Sequence, residues 1–264
     1  MKRLAAVLGA MWRFGLADAV AYRVAMLVWV LTTTFPLVSL TLWHSLAEDG
    51  PIGEYTQGQF DAYFVAAFLV RQLTASWVVW DLSSSIRDGS LSVLLLRPVH
   101  PLLHHLMSNL AALPVRLALA VPLGLAVLLA VGGIEVGASW HLVAAPVAIA
   151  LAWLLQLSVQ MCVACLAFWV TSSAALFEVW LGLYVVLSGY VMPTNLLPGA
   201  IAGAVRVLPF HATMGFPTEM LVGRLSGAQI AWGFVLQIGW LIVFAGLARW
   251  LWRRGLRAYG AVGA

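Results

Sequence analysis

Charged side chains are scarce in this sequence. Asp, Glu, Lys and Arg make up 9% of its 264 residues, against about 25% in soluble domains. Hydrophobic residues make up 63%, more than a water-soluble globule of this size can hide from its own surface. Soluble enzymes, nucleic-acid binders and disordered chains are excluded on that ground, and the composition is that of a polytopic membrane protein. Lysine is nearly absent, Lys2 standing alone among 14 basic residues. A phosphate-cradling GxxxxGKS or GxxxxGKT loop needs a lysine after its second glycine, so no nucleotide is held here by that route. HExxH and GxSxG are missing too, and no carboxylates pair within an apolar segment, which argues against an embedded hydrolase. Cysteine is limited to Cys162 and Cys165. No other cysteine completes a zinc site, so the pair reads as two small apolar side chains in a helix. The net charge of +4 reports basic residues held on the cytoplasmic side of a membrane.

Apolar windows of about 20 residues cross a bilayer core of about 30 Å. They predict six spans, at residues 24–47, 62–80, 110–131, 142–170, 176–191 and 228–248. Residues 1–22 carry Lys2, Arg3, Arg13 and Asp18 and are too charged to span. Leu4, Val7, Leu8, Met11 and Trp12 recur there at helical spacing, which predicts an amphipathic helix lying in the interface; an extension of the first span is the alternative. The first span is too long for a signal-peptide core, and no small-x-small cleavage site follows it. Between spans two and three, a polar run and then an apolar run predict a short helix, capped by Asp88 and ended by Arg97 and Pro98. Gly132-Gly133-Ile134-Glu135 reads as a turn, and Thr171-Ser172-Ser173 divides spans four and five. Pro193, Pro198, Pro209 and Pro217 break residues 192–224 into an external hairpin, partly re-entrant, that must be buried against protein where it enters lipid. Ten Lys or Arg flank the side holding both termini, and Arg206 and Arg224 the other. That asymmetry puts both termini in the cytoplasm and demands an even number of spans. The chain reads as one transmembrane domain over 1–264, with no linker, no second domain and no inverted repeat.

Arg71 and Gln72 sit at the middle of span two. A charge at that depth is either a contact for an anionic substrate group or part of a buried cluster, with Gln156 or Gln160 of span four as partners. Arg116 lies nearer the end of its span and is expected to snorkel to the interface. His100, His104 and His105 have no accompanying carboxylate and read as a solvated surface; His44, His141 and His211 receive no role. Trp43, Trp77, Trp80, Trp140 and Trp250 are expected as interfacial anchors. Gly182, Tyr184, Ser188, Gly189 and Tyr190 give span five a small and aromatic face, suited to a dimer seam, a path lining or ordinary packing. The acids fall at span ends or in loops. No metal-binding group is apparent.

Taken together, an interfacial N-terminal helix, six spans, a short helix between spans two and three and a proline-broken hairpin between spans five and six resemble the permease subunits of type-2 ABC exporters. The segment from Ile86 to Pro98 (Ile-Arg-Asp-Gly-Ser-Leu-Ser-Val-Leu-Leu-Leu-Arg-Pro) is similar to the I-x-x-G-x-L-x-x-x-L-L-R-P segment of one bacterial branch. Tyr190-Val191-Met192-Pro193 with Leu196-Leu197-Pro198 resembles that branch's external opening. The resemblance implies a multi-pass protein of the bacterial inner membrane, with lipid around it. Two cytoplasmic ABC ATPase subunits would hold ATP and magnesium, this chain holding no cofactor of its own. A second permease chain, identical or paralogous, would face this one. Residues 86–98 would dock on the ATPase as a coupling helix, with Arg87, Asp88, Gly89, Leu91, Leu94, Leu95 and Arg97 making the contact; a helix resting on lipid is the alternative. The path would run along spans two and five, past Arg71, Gln72, Tyr184 and Ser188. Its apolar character favours an amphiphile, such as a drug, natural product or lipid, and export follows from the resemblance alone. Two other classes share the composition: a membrane scaffold or assembly factor, and an ion-driven secondary transporter.

Overall fold

Residues 2–97, 99–131 and 140–259 are described by a computed structural model, with the side chains of residues 2–5, 140 and 141 left aside. Thirteen α-helices follow one another among them: α1 (Lys2–Ala21), α2 (Arg23–Thr32), α3 (Phe35–Leu46), α4 (Gln57–Thr74), α5 (Val78–Arg87), α6 (Leu91–Leu95), α7 (Pro101–Ala130), α8 (Ala145–Cys165), α9 (Ser173–Leu187), α10 (Gly199–Val207), α11 (Pro209–Thr213), α12 (Gly215–Leu221) and α13 (Gly227–Tyr259). No strand occurs among the described residues beyond an isolated bridge of Ile52 with Tyr55. Among the described residues, five stretches are long and apolar enough to cross a membrane: Arg23–Leu46, Gln57–Arg87, Pro101–Ala130, Leu142–Phe168 and Gly227–Tyr259. The fifth expected span, α9, is apolar but has only 15 residues, a rise of about 22 Å. The turn expected at Gly132–Glu135 lies outside the described residues.

Local chemistry sets several of the boundaries. The first span bends at Thr33 and Thr34 because Pro36, near the start of α3, has no N–H to give and crowds the carbonyl four residues back. The Thr33 and Thr34 hydroxyls donate to the carbonyls of Trp29 and Leu31 at 2.9 and 2.7 Å. A capping box starts α4: the Thr56 hydroxyl accepts from the Gln59 amide, and the Gln59 side chain accepts from the Thr56 amide. Pro101 opens α7, where His100 accepts from the Leu102 amide at 3.2 Å.

The second expected span, 62–80, is shorter than the helical stretch the structure forms there. That stretch runs through α4 and α5 from Gln57 to Arg87, interrupted at residues 75–77, so the segment expected to couple at 86–98 begins inside the last turn of α5. This stretch is the centre of the bundle: 78% of its most apolar window is buried, against 17% for α13. Phe60, Tyr63, Phe64 and Phe68 of α4 pack with Tyr55, Leu40, Phe210 and Met214 at the end of the bundle that holds the 192–224 hairpin. Val78, Val79 and Leu82 of α5 pack with Leu91, Phe177 and Trp252 at the end that holds α6. Helices in lipid gain little from the hydrophobic effect between them, so such interdigitated contacts carry their association. Within the hairpin, α11 is buried throughout and α12 as far as Met220, and they rest on α4, α8, α9 and α13. Helix α1 lies along α7, with Gly15 against Ser108 and Ala111.

Candidate functional site

Two of the membrane helices are broken at the same level, and the breaks face each other. At residues 75–77 the chain leaves helical geometry without a proline or glycine to explain it. Backbone groups freed in an apolar interior must find partners or cost several kcal/mol each. Here side chains from other helices supply them. Arg116 of α7 donates to the carbonyls of Ala75 at 2.6 Å and Gln72 at 3.4 Å, and also to that of Asn109 in its own helix at 3.0 Å. Its guanidinium stands 5.2 Å from the Trp77 ring centroid. Gln160 of α8 donates to the Ser76 carbonyl at 2.9 Å and accepts from the Val79 amide at 3.4 Å. The break at Thr33 is held in the same way: Gln72 donates to its hydroxyl at 2.8 Å and Tyr190 to its carbonyl at 3.1 Å. Arg116 therefore does not snorkel. It is 1% exposed, because the carbonyls of the break need its donors more than water does.

A cleft of about 320 Å³ opens where the two breaks meet, between α2, the α4–α5 junction and α9. Arg71 and Gln72 line it together with Thr33, Trp80, Phe177 and Glu178. Arg71 is half-buried, 5.6 Å from the Tyr184 ring centroid and beside Tyr190. It is not bonded to Gln160, which is spent on the break, and the Gln156 Oε1 is buried without a partner. Tyr184 lies against Arg71 but outside the lining of the cleft. Ser188 is fully buried away from the cleft, and its carbonyl lies against Gly215. Trp77 and Trp80 line the cleft, Trp77 at the break itself. Glu178 was hidden by its position near the expected start of span five. With α9 starting at Ser173, it lies well inside the helix, and the signal for it was a single acid within an otherwise apolar stretch.

Between α5 and α7, Gly89 takes the left-handed conformation, φ +80°, which only glycine adopts without strain. The Asp88 carboxylate accepts from the Ser90 hydroxyl at 2.8 Å and the Ser90 amide at 3.2 Å. These hydrogen bonds hold the Asp88 carboxyl below the usual range. Arg87 donates to the Thr171 carbonyl at 3.1 Å. The expected stripe of Leu91, Leu94 and Leu95 is split: Leu91 is fully buried and Leu94 packs beside it, while Leu95 faces out. A five-residue helix tethered on both sides turns its first leucine into the bundle. The outward apolar surface is Val93, Leu95 and Leu96, with Leu96 87% exposed and Arg97 next to it. Pro98 lies outside the described residues. Of the histidines read as solvated, His100 is exposed and caps α7, but His105 is buried against the bundle.

At the hairpin end, a cavity of about 470 Å³ is lined by Arg206, His211, Glu219 and Arg224 among others. Glu219 is 3% exposed. It accepts from the Thr194 hydroxyl at 3.0 Å and meets His211 at 3.5 Å. Burial pushes its carboxyl up, but His211, Thr194 and Arg206 outweigh this and leave it below the ordinary value. Arg206 donates to Asn195. Arg224 stacks on Tyr55 at 3.9 Å and donates to Gln59 at 2.6 Å and the Glu54 carbonyl at 2.9 Å. His44, given no role by its sequence context, meets the buried Asp61 at 2.9 Å. Cys162 and Cys165 are free thiols in the core, and no metal-holding group of His, Cys, Asp or Glu forms among the described residues.

The family model described as ABC-2 family transporter protein matches residues 27–263, leaving out only α1 and the start of α2 at the front of the chain. No curated protein matches the chain.

Proposed function

The chain belongs to the ABC-2 family of transporter proteins, as a membrane-embedded permease component, and from that premise we propose that it is one half of an ATP-driven exporter for amphipathic molecules. The observation that carries this reading is the cleft at the paired helix breaks. It is polar at its floor, through Arg71, Gln72 and Thr33, and apolar on its walls, through Trp80 and Phe177. An amphiphile needs both kinds of surface at one site. A second permease chain, identical or paralogous, closes the open side of the cleft. Two ATPase subunits bind and hydrolyse ATP with magnesium at the α6 end, which is the cytoplasmic face of the inner membrane.

The coupling contact is the outward face of α6. Leu95, Leu96 and Val93 present the apolar surface and Arg97 a charge at its edge, while Leu91 and Leu94 anchor the helix from within. Asp88, Gly89 and Arg87 fix its angle. The test is co-purification from cells that also express the neighbouring genes, with ATP hydrolysis assayed in the eluate. An ATPase should accompany the chain and should be lost, about tenfold or more, in Leu96→Asp and Arg97→Glu, the size of effect that disrupted contacts at the centre of an interface produce. A folded chain that recruits no ATPase would sink the reading, as would variants that recruit it undiminished.

A further inference from the structure

Resting on that reading of the chain as a permease, we propose that it carries a binding site for the cationic head of its substrate, in a groove between α1, α2, α5 and α7. The groove has a volume of about 220 Å³. Two carboxylates, Asp18 of α1 and Asp81 of α5, line it from opposite helices. Both are exposed to the groove and share its lining. Neither is in an ion pair among the described residues. Like charges held together without a counter-ion are an unfavourable arrangement that a bound cation relieves.

Two further features point to the same ligand. Asn109 lines the groove and is 4% exposed. Its Nδ2 donates to the His105 carbonyl at 3.0 Å, and its Oδ1 is buried without a partner. The groove is also walled by the rings of Trp29, Trp77 and Tyr22. Trp29 and Trp77 meet edge to face at 5.9 Å. Aromatic faces with carboxylates behind them recognise alkylated ammonium groups and similar diffuse cations. Two carboxylates and an unpartnered amide oxygen, with no Lys or Arg in the lining, favour a cation over an anion.

Geometry extends the assignment to the rest of the substrate. Met26, Trp29 and Trp77 line this groove and also the cleft at the helix breaks. A molecule with its cation at Asp18 and Asp81 can lay its apolar body across the shared wall into that cleft. The substrate class is thus an amphipathic organic cation.

The probe is tetraphenylphosphonium, with tetraphenylborate as an anion of matched shape. Binding is measured by scintillation proximity on the full chain with its ATPase in lipid nanodiscs, empty nanodiscs subtracted. The cation should bind and the anion should not. Asp81→Asn and Asp18→Asn should each weaken cation binding about tenfold, which is the loss of one charge contact in a partly desolvated aromatic site. Both substitutions are close to isosteric, and retained recruitment of the ATPase shows that the variants fold. Equal binding of both ions, or cation binding indifferent to both substitutions, overturns the site while leaving the permease reading intact. Loss of chain–chain association in the variants without a change in cation binding also overturns it, by assigning the acids to an interface between copies. Cation binding by a chain that recruits no ATPase would keep the site and remove the exporter.

Discussion

Arg116 shows how a single residue can decide whether a broken helix is tolerable. Removing its side chain does not remove the Gln72 and Ala75 carbonyls it serves at the break, so the cost is that of acceptors left without their donor in a largely apolar surrounding. Arg116→Leu is expected to destabilise the detergent-solubilised chain by about 2–4 kcal/mol, read as a lowered midpoint of thermal unfolding. Arg116→Lys should lose less, because an ammonium keeps donors near the Ala75 carbonyl but cannot fork to the Asn109 carbonyl as well. An unchanged midpoint in Arg116→Leu would mean that the break is stabilised some other way. Arg71 is a different case. It is half-buried, faces a cavity and rests on an aromatic ring, so its replacement should affect what the cleft binds more than whether the chain folds.

At the scale of elements, the same logic governs the hairpin. Helices α11 and α12 are too short to be stable alone, and Glu219 ties α12 to Thr194 and His211. Its carboxyl lies below the ordinary 4.5 in the folded chain. The carboxylate form therefore contributes stability that is complete above about pH 4.5 and is lost as the pH falls through the lower native value. Thermal unfolding should show a steeper decline below pH 4.5 in the native chain than in Glu219→Gln, with a slope difference of at most about 1.4 kcal/mol per pH unit. Parallel profiles would remove Glu219 from this role. This tie could not be read in advance, because nothing in a linear pattern links residue 219 to residue 194. The same holds for the break at 75–77, whose partners Gln160 and Arg116 come from other helices. Five of the spans, by contrast, were legible as apolar windows, since crossing lipid imposes a local rule on every residue within them. The bend at Thr33 was legible in principle from Pro36. The outward face of α6 was not, because helical spacing names a stripe without saying which way it points.

For the whole molecule, the open question is whether α9 crosses. It fails the length criterion, yet contacts at its two ends place them at opposite ends of the bundle. On one side, the Thr171 carbonyl accepts from Arg87, at the end that holds α6. On the other, the Val191 carbonyl accepts from Trp43 at 3.1 Å, and Arg224 after the hairpin reaches Glu54. A helix of about 22 Å with its flanking turns can bridge the two if the bilayer thins or other protein covers its ends. On the topology proposed from charge asymmetry, α6 and the arginine-rich end of α13 face the cytoplasm. Because both native thiols are buried, single introduced cysteines can report sidedness without background. In intact cells, a membrane-impermeant maleimide should label Asp49→Cys and Ser226→Cys. It should label Leu96→Cys and Thr171→Cys only after the membrane is opened. Protection of Ser226→Cys together with Thr171→Cys until the membrane is opened would show that α9 turns back without crossing. The termini would then lie on opposite faces, and the cleft at the helix breaks would lose the wall that makes it a path.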